Sequence, residues 1–470
     1  MIIKRLAVSN QRSVVSYLSF PRKLESSSLT SSLSVRQYVR RMTGQSRTKV
    51  LDSPIKSGND RKKLRRNDGK KGRNDYNFTV FNSSEAGFSL VELMITMIVF
   101  VFFIAAASQV FTGLLTQFKQ QSKMAETNIE GMVGLEMLRQ DIEGAGYGLP
   151  WFGLIAYSES ATDPYGFNDS TATAAPRAIL SKNNATFTGL NSIFDGSDYL
   201  VVKAVNVGRN DACNKWTALS SALPSPYFKT WIPATENLAS NDRVIVLRPG
   251  TTDADARTLV VNGSAFSTTL GGVSSTPWLS TDPSETRLVY GVDPDTDLRM
   301  PFNRADYFIR KYNSSGADIT PGRCAPNTGV LEKATVNQNG GAFNYLPLLD
   351  CVADMQVIYA LDNDEDGDFE DGTGIPADAY SDDITTVPLT AQQIRKRVKQ
   401  VRVYILSHEG QRDATYTYCP SSAASCSTAF PLGEFGLVST FDLTTKIGNP
   451  DYKYYRWKLY TIVVTPHNLE

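Results

Sequence analysis

Residues 87–107 read GFSLVELMITMIVFVFFIAAA, and this stretch decides the fold of the chain. A membrane-spanning helix needs roughly 20 predominantly apolar residues. Residues 88–107 supply that length with one charged side chain, Glu92. A charge at the centre of a bilayer costs at least ~2.5–3.5 kcal/mol. We therefore predict a membrane helix in which Glu92 is functional and has a partner, supplied by a chain terminus, another subunit or the membrane interface.

Charge is distributed unevenly on the two sides of this stretch. Residues 1–87 carry 19 Lys and Arg against 6 Asp and Glu, whereas the rest of the chain carries 29 against 42. A basic flank before an apolar span predicts a cytoplasmic N-terminus and an exported remainder. The acidic body is not expected to bind nucleic acid. With only two histidines in the chain, a multi-histidine metal site is excluded.

These patterns divide the chain into four regions. Residues 1–87 form a basic leader that we expect to be disordered and cleaved, with the true start codon left open. Residues 88–109 are the transmembrane half of an N-terminal helix, and 110–147 are its amphipathic half, which ends in a run of glycines. Residues 148–470 form a β-rich exported head. The predicted fold class is α+β, with the long helix packed on an antiparallel sheet.

The head is expected to contain short strands between polar turns, because apolar and polar residues alternate in several runs. One short polar helix is predicted at 390–399. The candidate strands are 198–204, 243–248, 259–261, 287–292, 307–311, 351–361, 398–407 and 455–465.

The segment AGFSLVELMITMIVF, residues 86–100, resembles the signal of type IV prepilins and pseudopilins. In that family a prepilin peptidase cuts after the glycine and methylates the new terminal amine. The resemblance therefore implies cleavage after Gly87 and N-methylation of Phe88. The family's glutamate at the fifth mature position corresponds to Glu92, which would pair with the terminal amine of a neighbouring subunit. Other major and minor pilins and an inner-membrane assembly platform are the implied partners.

Several further blocks resemble PilW-like minor pilins, among them EMLRQDIEGAGY at 136–147 and IRKRVKQVRVYILSHEGQRD at 394–413. The resemblance implies a minor pilin that takes part in initiation or at the tip of a type IV pilus, with adhesion by its head. The subunit would sit in the inner membrane as a single pass with a periplasmic head, and later in the filament at the cell surface. A J-like pseudopilin of a type II secretion system and a non-polymerising membrane-anchored adhesin are the alternatives. Residues 150–347 carry only scattered matches, and the leader is longer than is usual.

The second candidate site is the acidic run DNDEDGDFE at 362–370, which fits the first half of a calcium-binding loop. Alternating carboxylates would surround one hard cation, and the glycine would allow the sharp turn. The twelfth position is Thr373, so the usual closing glutamate is missing. We predict a structural Ca²⁺, with a solvated acidic turn as the alternative. The predicted ligands are Asp362, Asp364, Asp366, Asp368 and Glu370.

All five cysteines follow the apolar stretch, where export permits disulfides. The first expected pair is Cys419 with Cys426, which are close in sequence, and the second is Cys324 with Cys351. Cys213 would then be left over. Connectivity does not follow from sequence, so buried free thiols are the alternative.

No enzyme is predicted, because the chain contains no nucleophile-elbow, zinc-helix or phosphate-loop motif. Neither histidine suggests catalysis. His408 is expected to be a surface residue with its hydrogen bonds satisfied, and His467 to be exposed near the chain end.

Overall fold

A computed structural model of the chain describes residues 87–169, 175–186, 196–250, 256–370, 372, 377–385, 389–418, 428–447 and 451–469. Helix α1 spans Leu90–Glu143, 54 residues. The chain divides into two units at residue 112. The predicted leader, 1–87, lies outside the described residues except for its last glycine, and so do Cys419 and Cys426.

In the first unit, the described residues 87–111 begin with three residues without regular structure and continue as the start of α1. All of them are exposed. The helix is long and apolar enough to cross a membrane, and none of its apolar window is buried. The predicted long apolar helix is thus confirmed. Exposed apolar surface of this extent is unfavourable in water, so lipid or other proteins must cover it.

The second unit contains the second part of α1, residues 112–143, which we call its lower half. It also contains fifteen described strands and two short helices. Its largest sheet has eight strands, with β1-β2-β8-β9-β10-β12-β15 in order and β11 beside β10. A five-stranded sheet has the order β3-β7-β4-β5 with β6 beside β4, and β13 and β14 form a hairpin. All the ladders between these strands are antiparallel. The α+β prediction is therefore confirmed.

The bounds are as follows: β1 Ile179–Ala185, β2 Ser197–Ala204, β3 Trp216–Leu219, β4 Arg243–Arg248, β5 Thr258–Leu259, β6 Thr268–Thr269, β7 Arg287–Asp293, β8 Asn303–Arg310, β9 Gly329–Val336, β10 Phe343–Leu361, β11 Ala379–Ser381, α2 Ala391–Arg397, β12 Val398–Glu409, β13 Ala429–Glu434, β14 Leu437–Asp442, α3 Leu443–Lys446 and β15 Arg456–Val464.

The structure differs from the sequence prediction in the number of sheets and strands. Three sheets replace the single one expected, and the following strands were not predicted: β1, β3, β6, β9, β11 and the β13–β14 hairpin. Strand β9 reads GVLEKATV, and its central Glu332 and Lys333 are both buried. The two charges interrupt the apolar pattern that normally marks a buried strand. They can nevertheless be buried, because each is neutralised by a distant partner. Strand β13 reads AFPLGE, and its proline and glycine suppress the strand signal.

The apolar stripe of α1 packs on the large sheet over only part of its predicted length. Leu135, Leu138 and Ile142 are buried in the main core. Leu114, just after the unit boundary, and Val133 are exposed, as are most apolar residues of the stripe between them. The expectation that the apolar stripe of the whole amphipathic half would pack on the head is thus wrong up to Val133.

Candidate functional site

The predicted processing site lies immediately before α1. Gly87, Phe88 and Ser89 have no regular structure, and the helix begins at Leu90. The Ser89 hydroxyl accepts a hydrogen bond from the Glu92 backbone N–H at 3.2 Å. Ser89 and Glu92 are therefore in the S-x-x-E arrangement that caps a helix N-terminus. The motif thus also fixes where the helix starts, a role for Ser89 that the S-x-x-E spacing could have revealed.

The junction between Gly87 and Phe88 is open to a processing enzyme. Among the described residues, and apart from its chain neighbour, no group lies within 4 Å of the position that a Cβ would take at Gly87. The Phe88 side chain is 80% exposed. Glu92 lies in the first turn of α1, where the positive end of the helix dipole favours a carboxylate. The same carboxylate is exposed, so a cationic group of another molecule can reach it.

Close contact joins the lower half of α1 to strand β10. A Cβ at Gly134 would lie 2.0 Å from the backbone oxygen of Leu348, and one at Gly131 would lie 2.7 Å from Leu349 Cδ1. Both glycines therefore allow the helix to approach the strand more closely than any side chain would. Their spacing of three residues places them on one face of the helix.

A buried ionic cluster ties the same part of α1 to the sheet. The Asp141 carboxylate accepts hydrogen bonds from Lys333 Nζ at 2.6 Å and from Arg209 Nη2 at 2.9 Å. The hydroxyl of Tyr307 also donates to it. Asp141 and Lys333 are each only 2% exposed. Burial lowers the pKa of Lys333, although the Asp141 carboxylate opposes that effect.

Asp141 lies in the block that resembles minor pilins, but sequence reasoning assigned it no role. Its partners come from β8, β9 and the loop after β2. The cluster therefore fixes the position of α1 relative to three separate segments. The sequence feature that could have revealed its role is the position of this acidic residue between the core residues Leu138 and Ile142.

Only some of the calcium ligands that the sequence predicted lie together in the acidic loop. Carboxylate oxygens of Asp362, Asp364 and Asp378 lie within 4.8 Å of one another. Asp378 was not predicted, because it lies beyond the calcium-loop spacing. Asp366, Asp368 and Glu370 are not members of this group. Gly367 has φ of +109°, which confirms that the turn needs a glycine there.

Basic residues compensate part of the loop's charge from within the chain. Lys399 Nζ lies 3.2 Å from Asp362 Oδ2, and Arg397 donates to Glu365 at 2.9 Å. Burial opposes ionisation of Asp362, but backbone N–H donors at Gly367 and Glu365 and the Lys399 ammonium hold its pKa below the usual value. Burial and the repulsion of Asp366 and Asp378 raise the pKa of Asp364.

The Cys324–Cys351 disulfide is present, as expected, and links the loop before β9 to the bulged part of β10. Cys213 is a buried free thiol. His408 lies beside the disulfide and is buried, so the expected surface position is wrong. Its Nε2 accepts a hydrogen bond from the Ala325 N–H at 2.8 Å, and burial lowers its pKa to about 3.

His467 is two-thirds exposed and lies 3.4 Å from Glu143, at the end of α1. Its predicted exposure is confirmed. The residues that carry pilin-like features are therefore at the start of α1, whereas the buried histidine is part of the head's core.

Comparison with known proteins adds one finding. A family model described as the prokaryotic N-terminal methylation motif matches residues 82–108. This motif supports a type IV pilin-like precursor, processed by a prepilin peptidase and associating with pilins. Together with the one helix of the described residues that is apolar enough to span a membrane, it indicates membrane anchoring. No curated protein and no solved structure matches the chain.

Proposed function

We propose that the protein is a PilW-like minor pilin that helps to initiate or cap a type IV pilus. The observation that carries the proposal is the start of α1, where a methylation motif covers the exposed apolar part of the helix and Glu92 lies in the first turn. Before assembly the subunit is held in the inner membrane with its N-terminus in the cytoplasm and its head in the periplasm. After cleavage, the assembly platform moves it into the filament. Its role is structural and not catalytic.

The size of the head favours a minor over a major subunit. Residues 148–470 hold a five-stranded sheet and a hairpin in addition to the eight-stranded sheet that packs on α1. A shaft subunit repeated many times must bury its head against many neighbours, whereas a tip or initiating subunit leaves most of its head free. The head is thus the part of the filament that can reach an external surface.

The alternative function is that of a J-like pseudopilin of a type II secretion system. Such a subunit would use the same helix but would belong to a secretion apparatus and not to a pilus. Deletion of the gene distinguishes the two. We expect loss of surface pili with normal secretion of exported enzymes, measured by electron microscopy and by assays of the culture supernatant. Normal piliation combined with a secretion defect would overturn the pilus assignment and support the pseudopilin. Neighbouring pilus genes or secretion genes give the same discrimination at lower cost.

We also propose that the acidic loop holds a structural Ca²⁺. Asp362, Asp364 and Asp378 supply the oxygen ligands that this hard cation prefers. Asp362 already accepts two backbone N–H bonds and faces Lys399. An ionised carboxylate has about four acceptor sites, so it retains room for a cation. The ion would join the end of β10 to the segment before β11.

Calcium is expected to raise the melting temperature of the purified, detergent-solubilised protein relative to chelator. Binding to the folded state at a hundred times Kd adds ~2.7 kcal/mol, which corresponds to a shift of a few degrees for a chain of this size. Asp378→Asn should abolish the shift, whereas the exposed Asp318→Asn should retain it. Identical melting temperatures with calcium and with chelator would contradict the proposal.

A further inference from the structure

A fully buried lysine on strand β2 lies between two carboxylates. Lys203 is 0% exposed, and its Nζ lies 2.6 Å from Asp169 Oδ2 and 2.8 Å from Glu159 Oε2. Both acids are buried and belong to the segment before β1. Lys333, the other buried lysine of the described residues, forms an ion pair with one carboxylate, that of Asp141. Lys203 is thus the buried amine that has a second acid beside it.

The surroundings of Lys203 are apolar. Phe167 and Phe302 are at most 1% exposed, and Nζ lies 5.8 Å from the centroid of the Phe302 ring. The Phe167 carbonyl oxygen accepts a further hydrogen bond from Nζ at 2.7 Å. Burial of an ammonium and a carboxylate carries a desolvation penalty for each ion, which their mutual attraction has to offset. Conversion of the pair into a neutral amide and water would remove both charges from this interior.

The charges around the Lys203–Asp169 pair balance with or without it. Arg177 Nε lies 2.6 Å from Asp169 Oδ1. Arg304 lies 3.3 Å from Glu159 and 2.7 Å from Asp306. At distances of 3.3 Å or less, three cations thus face three carboxylates: Lys203, Arg177 and Arg304 against Asp169, Glu159 and Asp306. Loss of one charge of each sign leaves two arginines with two carboxylates, so the balance is kept.

We propose that Lys203 and Asp169 form an intramolecular isopeptide bond in the folded head, with Glu159 as the proton carrier. The fold holds the amine, the acyl carbon and the proton carrier together, which replaces encounters between separate molecules. One C–O bond of about 1.2 Å joins Oδ2 to the acyl carbon Cγ. Nζ therefore lies within roughly 4 Å of Cγ, close to the ~3–3.5 Å of a near-attack geometry.

The reaction starts from an ammonium and a carboxylate and balances without a further reactant. Burial opposes ionisation of Asp169, but Lys203 and Arg177 hold its pKa below the usual value. Glu159 takes one proton from the ammonium and passes it to Asp169 Oδ2. The neutral amine then attacks Cγ, and an N–C bond forms. A second amine proton joins Oδ2, the C–O bond breaks and one water leaves, while the third proton stays on the amide nitrogen.

Arg177 is placed to stabilise the charge that develops during this step. Its Nε donates at 2.6 Å to Asp169 Oδ1, the oxygen that becomes negative when Cγ is tetrahedral and then remains as the amide oxygen. The product would close a covalent loop that contains β1, because this strand lies between Asp169 and Lys203. The edge strand of the large sheet would thus be tied covalently to its neighbour β2.

Mass spectrometry of the processed full chain, purified in detergent from its native host, tests the proposal. The protein is reduced so that all five cysteines are thiols. We expect a mass lower by one water than that calculated from the sequence and the observed N-terminus. Trypsin does not cleave after an acylated lysine, so digestion should also give a branched peptide that contains both Asp169 and Lys203. Lys203→Met removes the amine and should restore the full calculated mass.

Glu159→Gln keeps the size of the side chain but cannot carry the proton. In chains sampled at successive times after a pulse of synthesis, this variant should cross-link on the order of a hundred-fold more slowly than the wild type. The exposed Glu236→Gln is the matched control and should cross-link at the wild-type rate. Tryptophan fluorescence verifies that both variants are folded.

The wild-type protein alone decides whether the bond exists. A wild type with the full calculated mass would overturn the proposal. Loss of one water without the branched peptide would also overturn it, since a cyclised aspartyl residue gives the same mass. Equal rates for Glu159→Gln and the wild type would refute the role of Glu159. None of these outcomes depends on the pilus assignment.

Discussion

Asp141→Asn is expected to lower the free energy of unfolding of the head by about 3–5 kcal/mol, the cost of removing one partner from a buried ion pair. The variant leaves the Lys333 ammonium, 2% exposed, without an anion and turns a carboxylate that accepts three donors into an amide. Urea unfolding of the detergent-solubilised protein, followed by tryptophan fluorescence, measures the change. All five tryptophans lie after residue 148, so the signal reports the head.

The helix offers a matched control in Glu126, which pairs with Lys123 at 2.7 Å while both side chains are more than half exposed. Such a surface pair contributes only ~0–1 kcal/mol, so Glu126→Gln should be nearly neutral. The double variant Asp141→Asn, Lys333→Met removes both charges and should recover much of the loss, because no buried charge is left unpaired. An Asp141→Asn protein no less stable than Glu126→Gln would contradict the role assigned to the cluster.

The contrast between Glu92 and Asp141 shows which parts of a site can be predicted from the sequence. Gly87, Phe88 and Glu92 lie within six residues, and their meaning comes from that local spacing. Asp141 acquires its role from Lys333, 192 residues away. No local pattern contains such a pairing. The same applies to Asp378, which the fold brings beside Asp362 although it lies outside the loop motif.

The same distinction between local patterns and distant contacts applies to the fold. Strands β2, β4 and β12 were predicted because their apolar residues form uninterrupted or alternating runs. Strand β9 was not, since Glu332 and Lys333 look like surface charges until their partners are known. Likewise, His408 was expected at the surface because the residues that bury it are distant in sequence: Ala325, Tyr455 and, in β15, Trp457. Tertiary contacts decided each of these cases.

Glu92→Gln is expected to leave processing and membrane insertion intact and to remove the protein from assembled filaments. In the apolar phase a carboxylate is unfavourable by ~2.5–3.5 kcal/mol unless it is paired. The terminal amine of Phe88 on a neighbouring subunit supplies that partner in the proposed filament. Loss of the pair should shift the partition between membrane and filament on the order of a hundred-fold. Immunoblots of sheared filaments and of membranes measure the two populations, and N-terminal sequencing shows whether both begin at Phe88.

Two further variants separate assembly from processing. Thr96→Val changes a polar residue of the same span whose hydroxyl only donates to the Leu93 carbonyl, so it should assemble normally. Gly87→Val puts a branched side chain at the cleavage junction and should retain the leader, as a longer chain without a methylated Phe88. The amine that pairs with Glu92 forms only when the bond after Gly87 is cut, so the two defects lie at successive steps. Filaments that contain the Glu92→Gln protein at wild-type levels would contradict the pairing of Glu92 with Phe88. A wild-type protein found only in membranes, with normal piliation and function in the Glu92→Gln strain, would instead support the non-polymerising anchored adhesin.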